Sequence, residues 1–321
     1  MMRTDTRPNA DLSIAHRLAE TLHHGLSGVL RGKPEPVRLS LIGLLSGGHV
    51  LVDDVPGVGK TLLAKAMARA VGGTFRRVQA TPDLLPSELT GVSIFHLAGN
   101  EWEFRPGPLF ANVVLVDELN RATPRTQSAL LEAMEERQVT VDGVTRALPQ
   151  PFFLVATQNP FETAGTFPLV EGQLDRFTIV IAIGPPDAIT ERELLLGTGG
   201  EPALKILEPL TDPSELARAI AAVRTVHCAA EIADYTVALS NATRSHVDVA
   251  IGASPRASLA LLHAAQAHAV LDGRDYVVPD DIARLAVPVL AHRLVLRDPG
   301  RLEDARTLMR TVLGTVPVPR P

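Results

Sequence analysis

The segment with the clearest chemical signature is Val55–Thr61, which reads Val-Pro-Gly-Val-Gly-Lys-Thr. It follows an apolar run, His49–Val52, and precedes a stretch whose apolar residues fall at helical spacing. Glycines let backbone N–H groups curl around an anion, and the next helix adds a favourable dipole. The lysine places a charge against β- and γ-phosphates, and the hydroxyl can ligate Mg²⁺. The predicted nucleotide-phosphate site consists of Pro56, Gly57, Val58, Gly59, Lys60, Thr61 and Leu62.

This loop departs from the full P-loop pattern at one position. Asp54 stands where the pattern has its first glycine. Because the phosphate cradle itself runs from Pro56 to Thr61, we expect the carboxylate to affect only the entry to the loop. The alternative is a chance Gly-Lys-Thr at a strand-to-helix turn, and the flanking strand and helix argue against it.

A second candidate is the pair Asp117 and Glu118, which ends the apolar run Val113–Val116. Ligands of parallel sheets bind beyond the carboxyl ends of the strands, so both carboxylates should face the phosphates. Asp117 can hold Mg²⁺ opposite Thr61, often through water. Glu118 is then placed to polarise a water for in-line attack on the γ-phosphate. Without the P-loop, the same pair would more simply be a strand meeting a solvated turn.

The next apolar run ends Ala-Thr-Gln-Asn-Pro, which places an amide, Asn159, at the end of a strand. Such an amide can orient the attacking water or contact the γ-phosphate. An Asn-Pro pair is also ordinary turn chemistry. Its position after the Asp-Glu strand favours the functional interpretation.

Composition sets limits on the class of protein. The 321 residues are 45% hydrophobic but only 4% aromatic, which predicts an aliphatic core and two domains. The formal charge of −5 argues against a strong nonspecific grip on nucleic acid. One cysteine, Cys228, fits a reducing compartment. With no apolar run near 18 residues and no basic-then-apolar leader, we expect a cytoplasmic protein.

The order of elements predicts an α/β domain followed by a helical one. Residues 1–11 resemble a frayed tail, and helical periodicity covers Leu12–Leu30 and a second helix ending near Gly47. Strands alternating with helices then predict a parallel sheet. A breaker cluster beginning at Gly184 marks the boundary, so the core is 12–184 and the second domain is 185–321, where only helices are expected. The predicted strands are His49–Asp53, Phe75–Val78, Val113–Val116, Phe152–Ala156 and Phe177–Ile183. The helices predicted in the second domain lie around Glu191–Leu196, Ser214–Val223, Ile232–Thr243, Pro255–Leu271, Asp280–Leu290 and Leu302–Leu313.

Together these residues resemble the MoxR family of AAA+ ATPases, over about residues 12 to 313. The stretch that carries the resemblance best is VLVDELNRATPRTQSALLEAMEERQVTVDG, which begins at Val114. It is joined by GHVLVDDVPGVGKT, FRPGPLFANVVLVDE, ATQNPFETAGTFPLVEGQLDRF and GASPRASLALLHAAQAHAVLDGR. In looser form the pattern is shared by the I subunit of magnesium chelatase and by RavA-like proteins.

The resemblance implies a P-loop AAA+ core with a five-stranded parallel sheet, followed by a small all-α lid. It implies that Lys60, Thr61, Asp117 and Glu118 are Walker residues and that Asn159 is sensor 1. Residues 84–110 resemble the helix-2 insert, and residues 135–148 the hairpin before sensor 1.

The resemblance also assigns two arginines. Arg176 matches the finger that reaches into a neighbour's site, and Arg256 matches the lid arginine called sensor 2, through which the lid would close on the core. Planar guanidinium groups bridge the charge that spreads over the γ-oxygens during phosphoryl transfer. Each could instead be an ordinary surface arginine. Arg121 and Arg105 are further candidates for subunit contacts. Lys33 stands where the family commonly has glutamine near the adenine.

The family further implies a homo-oligomeric ring, usually a hexamer, with ATP and Mg²⁺ at each subunit junction. Its members are chaperone-like and often work with a separate von Willebrand factor A-domain protein on client proteins. Three rival hypotheses remain: a nucleic-acid-dependent motor, a magnesium-chelatase-like motor subunit, and a nucleotide switch that does not hydrolyse. A GTPase is disfavoured because the chain has no Asn-Lys-x-Asp motif.

Overall fold

The computed structural model describes residues 10–162, 165–298 and 300–319. The N-terminal tail predicted over 1–11 therefore lies outside the described residues, except for residues 10 and 11, which begin the first helix. The longer helices, with their bounds, are α1 (Ala10–Val29), α2 (Pro34–Leu45), α3 (Lys60–Ala70), α5 (Pro124–Glu136), α9 (Pro213–Val223), α10 (Ala230–Ser245), α11 (Pro255–Leu271), α12 (Pro279–Leu290) and α13 (Leu302–Thr315). The shorter helices are α4 (Pro86–Thr90), α6 (Glu171–Leu174), α7 (Ala188–Leu195) and α8 (Gly200–Ile206).

A five-stranded parallel sheet forms the centre of the first part of the chain. The spatial order of its strands is β2, β5, β8, β1, β9. Their bounds are β1 (Val50–Asp53), β2 (Phe75–Gln79), β5 (Val113–Asp117), β8 (Phe153–Gln158) and β9 (Ile179–Ile181). All five predicted strands are confirmed, the last shortened at both ends.

Strands β1, β5, β8 and β9 are buried on both faces, which explains their continuous apolar runs, whereas the edge strand β2 is largely exposed. Alternate residues of one strand enter different core clusters: Val113 and Leu115 pack on one side, Val114 and Val116 on the other. The first cluster includes residues from the helices of both parts of the chain, and the second includes residues of α5.

Two β-hairpins project from this framework. The predicted insert, 84–110, contains α4 and the antiparallel pair β3 (Gly91–His96) and β4 (Glu101–Pro106). The second hairpin pairs β6 (Gln138–Val141) with β7 (Val144–Ala147), which lies inside the predicted range 135–148. Residues 135 and 136 instead complete α5.

The prediction that only helices follow residue 184 was wrong. Strands β10 (Val249–Ile251) and β11 (Val295–Leu296) form a small antiparallel pair, with Val249 opposite Leu296. Strands of two or three residues are too short to show alternation, and their partners lie far apart in sequence. The helices predicted in this part of the chain are confirmed, whereas α8 was not predicted.

The first helix links the two parts of the chain. It contacts α3 beside the sheet and also α9 and α11 of the helical part, with Leu22 and Leu26 fully buried. None of the helices in the described ranges is both long enough and apolar enough to cross a membrane.

Candidate functional site

The loop between β1 and α3 forms one wall of a cleft of about 230 Å³. Gly57 and Gly59 have φ values of 86° and 102°, in the left-handed region that favours glycine. An added Cβ at either position would meet nothing within 4 Å, so the backbone angle rather than crowding calls for glycine. The predicted residues that line the cleft are Pro56, Gly57, Gly59, Lys60, Thr61 and Leu62. Val58 packs instead against the hydrophobic core.

The Lys60 ammonium lies between the ends of β1 and β8. It donates hydrogen bonds to the carbonyl of Asp54 and, over 3.0 Å, to the carbonyl of Gln158. Partial burial lowers the pKa of Lys60, and the nearby carboxylates, led by Asp54, oppose that shift. The cation is thus held at the mouth of the cleft by backbone oxygens.

Asp54, where the loop departs from the P-loop pattern, has a structural role. Its Oδ2 accepts hydrogen bonds from the backbone N–H groups of Ile183 and Gly184, both at 2.7 Å. Its Oδ1 accepts one from Val55, also at 2.7 Å. Through these hydrogen bonds the carboxylate links the start of the loop to the segment that follows β9.

The paired acids, Asp117 and Glu118, line the same cleft. The Asp117 Oδ2 atom accepts from Arg77 Nε at 2.7 Å, and its Oδ1 from the Thr157 hydroxyl at 3.3 Å. Glu118 has φ 56° and ψ 45°, an uncommon conformation for a residue with a side chain. The Thr157 hydroxyl accepts a hydrogen bond from the Glu118 N–H at 2.9 Å and so helps to hold that turn.

Two further side chains orient the Glu118 carboxylate. Gln79 Nε2 donates to its Oε2 over 2.9 Å, and Arg121 Nε lies 3.1 Å from the same oxygen. Arg121 also pairs with Glu162. Both acids thus line the cleft and are oriented by neighbouring polar side chains.

Sequence reasoning missed Arg77, Gln79 and Thr157, which line the cleft. Arg77 and Gln79 belong to β2, whose register sets Gln79 opposite Asp117. The signal was the polar sequence of β2, Phe-Arg-Arg-Val-Gln, which suits a largely exposed edge strand, but its neighbour in the sheet could not be predicted from the sequence.

Asn159 lines the cleft as predicted. Its Oδ1 accepts a hydrogen bond from the Phe161 N–H at 3.2 Å, which ties the side chain to the turn that follows β8. The oxygen donors around it fit a magnesium ion, because the Thr61 hydroxyl and the Asp117 carboxylate both line the cleft.

The other candidate arginines lie elsewhere. Arg176 and Arg256 do not line this cleft; they meet at Glu135, on the C-terminal turn of α5. Arg256 does occupy the helix start predicted for it, after the N-cap Ser254 and the N1 residue Pro255. The structure therefore brings these two arginines together, and it does not bring Arg256 to the loop between β1 and α3.

Lys33 lies at the turn between α1 and α2. Its ammonium donates a hydrogen bond to the Pro185 carbonyl over 2.5 Å. The turn is thereby tied to the segment after β9, close to where Asp54 binds the same segment. Its expected place near the adenine stays a prediction.

Comparison with known proteins adds two matches to sequence profiles. The profile of the ATPase family associated with various cellular activities (AAA) matches residues 49–179. The profile of the AAA lid domain matches residues 241–311. The first range contains the whole cleft described above.

Several relatives match over most of their length. Protein YeaC of Bacillus subtilis, which is uncharacterized, is 46% identical over 94% of this chain and 95% of its own. Chaperone MoxR1 of Mycobacterium tuberculosis is 43% identical, covering 91% of this chain and 80% of its own. Protein MoxR of Paracoccus denitrificans is 31% identical, covering 97% of this chain and 99% of its own.

Solved structures agree with this fold. A candidate ATPase from Cytophaga hutchinsonii superposes with a TM-score of 0.88 at 33% identity, covering 97% of this chain and 98% of that one. A full-length MCM homolog from Methanopyrus kandleri, at 19% identity and a TM-score of 0.56, shares the fold alone. The profiles, the relatives and the cleft agree, and the chain belongs to the MoxR family of AAA+ ATPases.

Proposed function

We propose that this protein hydrolyses ATP to ADP and phosphate in a ring whose active sites are completed by neighbouring subunits. One observation carries the proposal: the phosphate loop, both acids and Asn159 share one cleft, whereas Arg176 and Arg256 meet outside it. A site that needs those arginines must receive them from another subunit. The ring that we propose is a homo-oligomer, a hexamer by family resemblance.

Each residue of the cleft has a proposed role in that reaction. Lys60 and the N–H groups of the loop bind the β- and γ-phosphates. Glu118 orients a water in line with the γ-phosphorus and accepts its proton, while Asn159 fixes that water or a γ-oxygen. Thr61 and Asp117 would hold Mg²⁺, which when bound neutralises charge on the phosphates. Arg176 and Arg256 of the neighbour stabilise the charge on the γ-oxygens.

In this arrangement Arg256 contacts the nucleotide of the neighbouring subunit and not the nucleotide in the cleft of its own chain. The lid that begins near residue 185 would then move with the finger segment instead of closing through Arg256 on its own nucleotide. We also propose that the nucleotide-binding core ends at residue 184 and that the lid begins at residue 185.

The cellular role that we propose is chaperone-like remodelling of client proteins in the cytoplasm. Support comes from the relative named Chaperone MoxR1, at 43% identity. A separate von Willebrand factor A-domain protein is the proposed partner, by family resemblance. The likeness to an MCM homolog is one of fold alone and gives a nucleic-acid motor no further support.

The first test is the rate of ATP hydrolysis per subunit, measured over a wide range of protein concentration. A site completed between subunits predicts a specific activity that rises and then saturates as rings form. A flat rate from a species that sizing shows to be a monomer would contradict the proposal.

A mixing experiment then tests which residues are shared. Arg176→Ala should bind ATP but fail to hydrolyse it, and Lys60→Ala should be equally inactive. Both variants should still assemble into rings. In mixed rings some junctions pair an intact Lys60 with an intact Arg176, so activity should return in part. Mixed rings that are shown to form yet stay inactive would exclude a shared site.

A further inference from the structure

Glu135 is the one acid in the described ranges that contacts both arginines. Its Oε2 lies 3.0 Å from Arg176 Nε, and its Oε1 accepts from Arg256 Nη2. The three residues come from three elements: the C-terminal turn of α5, the turn after α6, and the first turn of α11. One carboxylate thus joins the core to the helical part of the chain.

The arginines keep unused donors. Arg176 Nη1 donates to the Gly172 carbonyl, which with Glu135 accounts for two of its three nitrogens. Among the described contacts, Nη2 of Arg176 and both Nε and Nη1 of Arg256 have no partner. Their side chains are 30% and 52% exposed. One carboxylate between two guanidinium groups leaves a net positive charge, so an anion can still bind.

The segment that carries Arg176 is fixed on both sides by the helical part. Before it, Asp175 accepts from the N-cap hydroxyl of Ser254 at 3.4 Å and lies 3.4 Å from Arg293 Nη1. After it, the Phe177 carbonyl accepts from His292 at 3.0 Å and from Arg293 at 2.8 Å. These contacts fix the backbone on either side of Arg176. They do not fix the direction of the Arg176 side chain, which depends on the partners of its guanidinium group.

Electrostatics agree with a carboxylate that stays ionised. Desolvation acts to raise the pKa of Glu135, but the charge of Arg256 and the hydrogen bond from Arg176 outweigh it and lower that pKa. Two guanidinium groups around one recess of about 180 Å³ would otherwise repel each other.

We propose that Glu135 is a positioning residue, which holds Arg176 and Arg256 side by side so that their free N–H groups receive the γ-phosphate of the neighbouring subunit together. The inference rests on the shared site proposed above. It differs from an ordinary surface ion pair, whose loss would change stability slightly and turnover not at all. Preorganised donors speed a reaction because they need no rearrangement as charge develops.

The test is Glu135→Gln, which keeps the size of the side chain and removes its charge. Turnover at saturating ATP should fall about 10- to 100-fold, since an error of about 1 Å in a charge-stabilising group costs that much. The dissociation constant of mant-ATP should not change, because the cleft of the same chain is intact. Glu135→Asp, which keeps the charge on a shorter stem, should recover part of the turnover.

The matched control is Glu136→Gln. It removes the same charge from the next position of α5, and Glu136 is exposed and makes no described ion pair. Turnover of this variant should equal that of the unaltered protein. A second readout is mixing: Glu135→Gln combined with Lys60→Ala should regain activity, because the Lys60→Ala subunits supply an intact arginine pair.

The possible outcomes separate the two proposals. Normal turnover by Glu135→Gln, or higher turnover, would overturn the positioning role; the second result would mean that Glu135 restrains the arginines. If Glu135→Gln turns over normally but mixed Arg176→Ala and Lys60→Ala rings recover activity, the shared site is supported without a positioning role for Glu135. If those rings stay inactive, the shared site fails whatever Glu135→Gln does.

Discussion

At the scale of single residues, the cleft depends on side chains that hold other side chains. Glu118 is fixed by Gln79 and Arg121, and Asp54 fixes the loop that carries Lys60. In the proposed mechanism, such contacts keep the reacting groups in place before ATP binds. The two residues at the centre of these networks give separate predictions.

Glu118→Gln should bind ATP but hydrolyse it at least about 100-fold more slowly, because the amide cannot accept the proton of the attacking water. The measurements are phosphate release and mant-ATP binding on the same preparation. Turnover at the normal rate would remove Glu118 from the mechanism.

Asp54→Ala should lower the free energy of unfolding by about 2 kcal/mol, because the N–H groups of Ile183 and Gly184 lose their acceptor. It should also weaken mant-ATP binding, because the loop entry is released. Urea unfolding and a binding titration check the two effects. Asp54→Asn keeps one side-chain acceptor and should lose about half as much stability; an Ala variant that behaves like the unaltered protein in both assays would rule out the bracing role.

At the scale of elements, the start of α11 decides where Arg256 points. The Ser254 hydroxyl caps the helix by accepting from the Ala257 N–H at 3.1 Å, and Pro255 fixes the first helical residue. The same hydroxyl contacts Asp175, the neighbour of Arg176 in sequence. A single cap thus lies between the two proposed trans-acting arginines.

Ser254→Ala should cost about 1 kcal/mol of stability through the lost cap. It should also lower turnover several-fold without changing ATP affinity. The matched control is Asp212→Ala, which removes the cap of α9, where Asp212 accepts from Ser214 and Glu215. Asp212→Ala should lose a similar free energy of unfolding and keep its rate of ATP hydrolysis. Equal losses of turnover in both variants would mean that reduced stability, and not the loss of the α11 cap, lowers turnover.

At the scale of the whole molecule, two buried histidines and one half-buried histidine couple stability to pH. Burial, aided by a nearby arginine, lowers the pKa of His49 and of His263 to about 4, and that of His292 well below its ordinary value. His49 shows why: its ring accepts from the Leu154 N–H and bonds the Met134 carbonyl, which joins β8 to α5 through a neutral imidazole.

The protein should lose stability as the pH falls from about 6.5 to about 4. The unfolded chain takes up protons on these histidines first, so acid favours unfolding, by about 1 kcal/mol per pH unit for the buried His49 and by less for the half-buried His263, whose shift solvent screens. Asp53, whose pKa burial raises, opposes this trend at the acid end. Urea unfolding at several pH values checks the slope, and His49→Gln should make it shallower; a flat profile would contradict the assignment.

The elements with strong periodicity could be predicted from the sequence. The five strands of the sheet and the helices from α9 to α13 were found because long apolar runs and 3.6-residue patterns are local signals. The short pair β10 and β11 was missed because its pairing is a long-range contact between a few residues.

The chemistry that we propose for the loop of Lys60 and for Asp117 and Glu118 could be predicted from local sequence, because glycine, lysine and carboxylate at that spacing serve few other purposes. Which side chains orient these residues depends on the packing of the fold, since Arg77 and Gln79 come beside Asp117 only through the order of the strands. That packing also decided that Arg176 and Arg256 meet at Glu135 and not at the loop. The reason is physical: local spacing fixes an element and its side-chain pattern, whereas the packing of distant elements fixes which side chains share a site.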